Sequence, residues 1–132
     1  MAFHFELDRE NGIFRVVGSG RVDDGELREL YRVVGERFAR SGARAAILDV
    51  SAVTDFAVTS ALIEQLSRGQ PALHELETPR LIVAPQPHVY GAMRVFQSIG
   101  EPTRPRLLVL RSAAEAYALL GVAAPKFEKM EE

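Results

Sequence analysis

Short apolar runs alternate with amphipathic stretches of helical period along most of this chain, and that alternation restricts its fold more than any other feature. Residues 45–50 read AAILDV, nearly continuous in apolar side chains. Such a run fits a central strand covered on both faces. Residues 80–84 and 106–111 are two further runs of this kind, and each of the three is followed by a helical pattern. Strands alternating with helices imply a largely parallel sheet joined by right-handed crossovers.

The opening differs from this rhythm. Phe3, Phe5 and Leu7 alternate with His4 and Glu6, as in a strand with one buried face. Asn11-Gly12 suits the positive φ angles of a tight turn, and residues 13–17 return as a second strand. The two form an antiparallel hairpin. Asp23 then caps a helix, with Glu26 in capping-box spacing. Leu27, Leu30, Tyr31, Val34 and Phe38 form its apolar stripe, and Gly42 ends it. A second helix is expected to begin near Thr54 or Asp55, with Val58, Ala61, Leu62 and Leu66 inward. It is interrupted around Gly69, Gln70 and Pro71, with a further turn towards Leu76. Residues 89–99 form a third helix with Met93 and Phe96 inward. Ser112, with Glu115 three positions on, caps the last, which Gly121 closes. The fold class is therefore α/β, in the order β-β-α-β-α-β-α-β-α, with a mostly parallel sheet and one antiparallel strand from the N-terminal hairpin.

At 132 residues the chain suits a single domain, assigned to residues 1–122, with 123–132 expected as a loosely held C-terminal tail. Apolar residues make up 47% and charged residues 26%, an ordinary balance for a folded globular protein rather than a disordered one. A net charge of −2 gives no broad cationic field, so nucleic acid is not an expected partner. No apolar run approaches the ~20 residues that span a bilayer. The start, MAFHFELDREN, lacks the basic and apolar regions of a signal peptide. With no cysteine in the chain, a cytoplasmic location is expected, and thiolate chemistry and disulfides are excluded.

Ligand-contacting residues of open α/β sheets gather beyond the C-terminal ends of the parallel strands. Three segments meet that description: residues 49–55, residues 85–88, and Arg111 with Ser112. In the first region Ser51, Thr54, Asp55, Val58, Thr59 and Ser60 are candidate partner-binding residues, with Asp55 read as a helix cap. Thr59 and Ser60 fall in the first turns of a helix, whose free N–H groups and positive dipole end favour an added phosphate. They are the candidate phosphorylation sites. In the second and third segments Gln86, His88, Tyr90, Arg94 and Arg111 form a candidate site for a small anion or nucleotide. His88 can donate a hydrogen bond to an anion or cap the helix, and Tyr90 and Arg94 share a helix face.

Catalytic and cofactor motifs are missing. Gly18-Ser19-Gly20 is followed by Asp23 where a dinucleotide fingerprint needs glycine, and there is no Walker-type phosphate loop. There is no G-x-S-x-G elbow. His4, His74 and His88 are too scattered for local metal-ligand spacing. Neither an enzyme, a cofactor nor a metal is expected. A symmetric dimer is compatible with such a domain, although no apolar stripe is left over to demand one.

The order of elements, with ILDVSAVTDFAVTSALIEQL at residues 47–66, resembles the STAS domains, which include bacterial anti-sigma-factor antagonists. In that family an apolar strand ends in a polar loop, and the next helix opens with an Asp-Ser-Ser/Thr-Gly motif whose hydroxyl a partner kinase phosphorylates. Laid over that motif, the aspartate falls at Ala57, the hydroxyls at Val58 and Thr59, and the glycine at Ser60; Thr59 matches by chemistry. The resemblance implies a non-enzymatic regulatory module that binds a protein partner, either a regulatory kinase or an anti-sigma-like protein, through residues 51–60. The alternative reading is a small-ligand sensor built on His88, Arg94 and Arg111.

Overall fold

The computed structural model describes residues 2–130. Strand β1 (Phe3–Asp8) and strand β2 (Ile13–Asp23) form the expected hairpin. Its turn is not the two-residue type. Asp8 pairs with Ile13 across a four-residue loop in which Gly12 alone takes a left-handed φ of 71°. Asn11 keeps negative φ and contributes through its amides: its backbone N–H and side-chain NH₂ donate to the Asp8 carboxylate at 3.0 and 2.7 Å.

Helix α1 (Asp24–Ser41) starts at the Asp23 cap, whose carboxylate accepts the Glu26 N–H at 3.0 Å, and ends at Gly42 with φ 71°. The capping box is not closed, because Glu26 accepts the Ala2 N–H at 3.0 Å instead. Strand β3 (Ala45–Ala57), helix α2 (Ser60–Arg68), strand β4 (Arg80–Val83), helix α3 (Pro87–Gly100), a 3-10 turn (Glu101–Thr103), strand β5 (Leu107–Leu110) and helix α4 (Ala113–Leu120) follow. Ser112 caps α4 through the Glu115 N–H at 3.2 Å, and Gly121 closes it at φ 72°.

The sheet order is β5-β4-β3-β2-β1 with a short sixth strand beyond β1. Strands β2 to β5 pair in parallel, and β1 is antiparallel to β2. One face carries the larger core: Phe5, Phe14, Val16, Ala46 and Ile82 pack against Leu30 and Val34 of α1, Ile63 of α2, and Val89 and Met93 of α3. On the other face Ile13, Ile47, Leu81 and Val83 pack against Ala116 and Val122, with Tyr117 and Phe127 at the margin. AAILDV is thus covered on both faces, as its composition requires.

Three elements depart from the sequence reading. First, β2 and β3 run on together past Val17 and Val50. The predicted loop at 51–55 is strand, paired through Ser19–Ala52, Gly20–Val53, Arg21–Asp55 and Asp23–Ala57, with two register shifts. The β2 backbone supplies ladder partners that a local reading cannot see, so α2 begins at Ser60 rather than at Thr54 or Asp55. Second, α2 does not resume towards Leu76. It ends at Gly69, and the following carbonyls bond to arginine side chains. Third, the segment expected as a loosely held tail is tied to the sheet. The strand β6 (Glu128–Lys129) pairs antiparallel with β1, the Met130 N–H donates to the Phe5 carbonyl at 2.9 Å, and the Lys126 N–H donates to Asp8 at 3.0 Å. Glu131 and Glu132 of that tail lie outside the described residues.

Candidate functional site

Because α1 follows β2 directly and α2 follows β3, the paired ends of these strands set the two helix N-termini side by side. Asp23 lies opposite Ala57 in the ladder. The next residue, Asp24, reaches across: its carboxylate accepts the Thr59 backbone N–H at 2.8 Å and the Thr59 hydroxyl at 2.7 Å. The same hydroxyl oxygen accepts the Leu62 N–H at 3.2 Å and so caps α2. The donations from Thr59 hold the Asp24 carboxyl below the ordinary aspartate range. Thr59 is exposed, as is Ser60 at the first helical position, whose hydroxyl makes no side-chain hydrogen bond among the described residues.

Ser51, Thr54 and Asp55 lie exposed along the bulged part of β3, and Val58 is half-buried against the core. Asp55 does not cap the helix; it pairs with Arg21 of β2 at 2.7 Å. An exposed pair of this kind contributes little stability, and here it marks the register of the ribbon. Ser51, Thr54 and Ser60 are exposed along the same segment, a polar ledge at residues 51–60 on which the structure brings Asp55 and Thr59 against Arg21 and Asp24. The sequence reading missed the last two because neither lies near residues 51–60 in the chain.

Gln86 has a structural task. Its amide NH₂ donates to the carbonyls of Val50 and Val53, each at 2.9 Å, with a longer contact to Ser51 at 3.4 Å. These carbonyls lie beyond Asp49–Val83, the last pair of the β3–β4 ladder, and an unmatched carbonyl is costly. Replacing Gln86 with alanine should cost about 1–3 kcal/mol and speed amide hydrogen exchange at residues 51–55 more than in β4. Unchanged exchange there would show that the bulge supports itself.

The remaining candidates form a separate group. His88 does not cap α3, whose N-cap is Gln86 and which has no side-chain cap. The His88 ring packs edge-on to Phe56, with centroids 6.5 Å apart. Arg94 donates to the Tyr90 hydroxyl at 3.2 Å, and the Arg111 guanidinium lies 4.1 Å from the centre of the Tyr90 ring. The Arg94 hydrogen bond, helped by both positive charges, lowers the Tyr90 hydroxyl below its ordinary pKa. Tyr90, Arg94 and Arg111 are thus brought together, while Gln86 is committed to the β3 backbone.

Among the described residues no group of histidine and acidic side chains could hold a metal ion, and no helix is long and apolar enough to cross a membrane. No protein-family model matches the chain, and no curated protein matches it in sequence. Among solved structures, the chain is similar to the anti-sigma factor antagonist SpoIIAA in its unphosphorylated form, with a TM-score of 0.60 and 13% sequence identity. The match covers 93% of this chain and 100% of that one. At that identity the likeness establishes architecture, and the chain has a STAS-like fold.

Proposed function

We propose that this chain is a non-enzymatic regulatory module that binds a protein partner through the ledge at residues 51–60. The observation that carries this reading is the Thr59–Asp24 contact. An exposed hydroxyl stands at a helix N-terminus, where a phosphate would be welcomed by the free N–H groups, yet a neighbouring carboxylate holds it. Phosphate on Thr59 would set negative charge against Asp24, break that contact and separate the starts of α1 and α2. The ledge would then change both charge and shape, which is what a phosphorylation-controlled docking surface requires. The fold neighbour, named as an anti-sigma factor antagonist in an unphosphorylated form, supports a partner that is a regulatory kinase or an anti-sigma-like protein.

Affinity capture from cell extract tests this. The wild-type chain should recover a stoichiometric protein partner, and Thr59→Glu should lose most of it. Thr59→Ala should keep the fold at a cost of about 1 kcal/mol from the lost cap, and it should block phosphorylation at that position. Failure to recover a partner in several growth states, together with no phosphate on Thr59 or Ser60 by mass spectrometry, would sink the reading.

A second reading rests on the stacking of Arg111 on Tyr90 beside Arg94. Two exposed guanidinium groups on one half-buried ring form a small cationic surface suited to an anion or a nucleotide. A thermal-shift series with inorganic phosphate and nucleoside phosphates should raise the melting temperature of the wild type and not of Arg111→Ala. No shift in the wild type would remove it.

A further inference from the structure

The core-facing side of the sheet carries a feature distinct from the Thr59–Asp24 contact. Between α1 on one side and α2 and α3 on the other, a cavity of about 140 Å³ opens over the sheet. Its lining is almost wholly apolar, with Val16 and Ala46 below and Leu30, Val34, Ile63 and Met93 around it. Its polar residues are Tyr31, Arg80 and Arg104. Arg80 is 8% exposed and Arg104 3%.

Two buried guanidinium groups normally call for carboxylate partners, and among the described residues neither has one. Arg80 donates to the carbonyls of Thr78 and Leu73 at 3.2 and 2.8 Å and to that of Glu75. Arg104 donates to the last carbonyls of α2, Leu66 and Ser67, at 2.9 and 3.0 Å. It also reaches the Thr103 hydroxyl at 3.0 Å and, more distantly, the Tyr31 hydroxyl at 3.4 Å. These are all neutral acceptors. A guanidinium has five N–H groups, so both side chains keep donors that these bonds do not use. The charges are also close enough to disfavour each other: burial first, and then the Arg104 charge, lower the Arg80 pKa. A single anion would answer both.

We propose that this cavity binds a small hydrophobic carboxylate, with its apolar body between α1 and α2–α3 and its carboxylate on Arg80 and Arg104. The volume sets the size, since an engineered apolar cavity of roughly 150 Å³ accepts benzene. The fork of a guanidinium sets the headgroup, since it matches a planar carboxylate in two parallel bonds. The irregular segment 69–79 closes this end of the cavity. Its Ala72 carbonyl lies against α1 at Gly35, where a Cβ would come within 2.6 Å of it.

Calorimetric titration and methyl NMR of the full chain test the proposal, with phenylacetate and 4-methylpentanoate as probes and their amides as neutral controls. One carboxylate should bind per chain and shift the methyl signals of Leu30, Val34, Ile63 and Met93. The matched amides should bind about tenfold or more weakly. Arg104 also caps α2, so Arg104→Met could simply unfold the chain. Val34→Phe instead fills the cavity, and it should keep or raise the melting temperature while binding is lost. Three results would overturn the proposal: no saturable binding of either acid, equal binding of acid and amide, or undiminished binding to Val34→Phe. Backbone amide shifts confined to Tyr90, Arg94 and Arg111, with the cavity methyl signals unmoved, would do the same, placing the anion on the surface.

Discussion

Phe14→Ala should lower stability by about 3–5 kcal/mol, the range for removing a fully buried aromatic side chain. Phe14 is wholly inaccessible to solvent. It stacks on Phe5 with centroids 5.7 Å apart and meets Phe38 of α1 edge-on at the same distance. The ring therefore joins three elements: the neighbouring strand, the helix above, and its own strand. Truncation loses the transfer term, opens a void that α1 cannot collapse into while tethered at Asp23 and Gly42, and removes two aromatic contacts of about 0.5–1.5 kcal/mol each. For a chain of this size the melting temperature should fall by roughly 10–20 °C. Phe14→Leu keeps most of the volume and should lose less than half as much. Chemical denaturation of the three proteins decides the matter, and equal losses for Ala and Leu would show that ring geometry matters more than volume.

Asp8→Ala should cost about 3 kcal/mol and free the C-terminal strand. Asp8 is a fully buried carboxylate, and among the described residues no cationic side chain pairs with it. It accepts N–H bonds from Asn11, twice, and from Lys126. One group therefore closes the β1–β2 turn and anchors the strap that leads to β6. Burial by itself would raise the carboxyl pKa, but the hydrogen bonds from Asn11, Lys126 and Glu10 outweigh it and leave the pKa below the ordinary aspartate value. The sign follows from linkage: a carboxyl whose pKa is lower folded than unfolded stabilises the fold above its unfolded pKa. That contribution is lost as the pH falls through its folded pKa. Stability should thus decline from about pH 5 downward, and Asp8→Asn should flatten part of that decline. Hydrogen exchange should show Lys129 and Met130 losing protection in Asp8→Ala while β4 keeps it. Retained protection at Met130 would mean that the β1 ladder alone holds the strap.

The candidate site was only partly legible in the chain. Thr59 stood out because a hydroxyl near a helix start has a local signature, and the structure does make it the α2 cap. Its partner Asp24 was invisible in that role. A second aspartate beside the Asp23 cap looks like ordinary first-turn acidity, and it lies 35 residues away. Gln86 read as a polar group free for recognition because its three carbonyl acceptors, 33 to 36 residues earlier, exist only where β3 bulges. Asp55 read as a cap for a similar reason: the strand pairing that carries it past the expected helix start comes from β2.

The order of strands and helices, the caps at Asp23 and Ser112, the left-handed stops at Gly42 and Gly121, and the doubly covered AAILDV strand all follow from residues within a few positions of one another. Periodicity and capping are local, so the sequence alone determines them. Tertiary structure decided the rest. It extended β2 and β3 together until their helices met at Asp24 and Thr59. It bound the C-terminal segment to Asp8 across 118 residues, and it buried Arg80 and Arg104 beside an apolar cavity. The physical reason is the accounting of buried polar groups. Each buried N–H, carbonyl or charge must find a partner, and distant elements supply those partners only once the sheet has assembled.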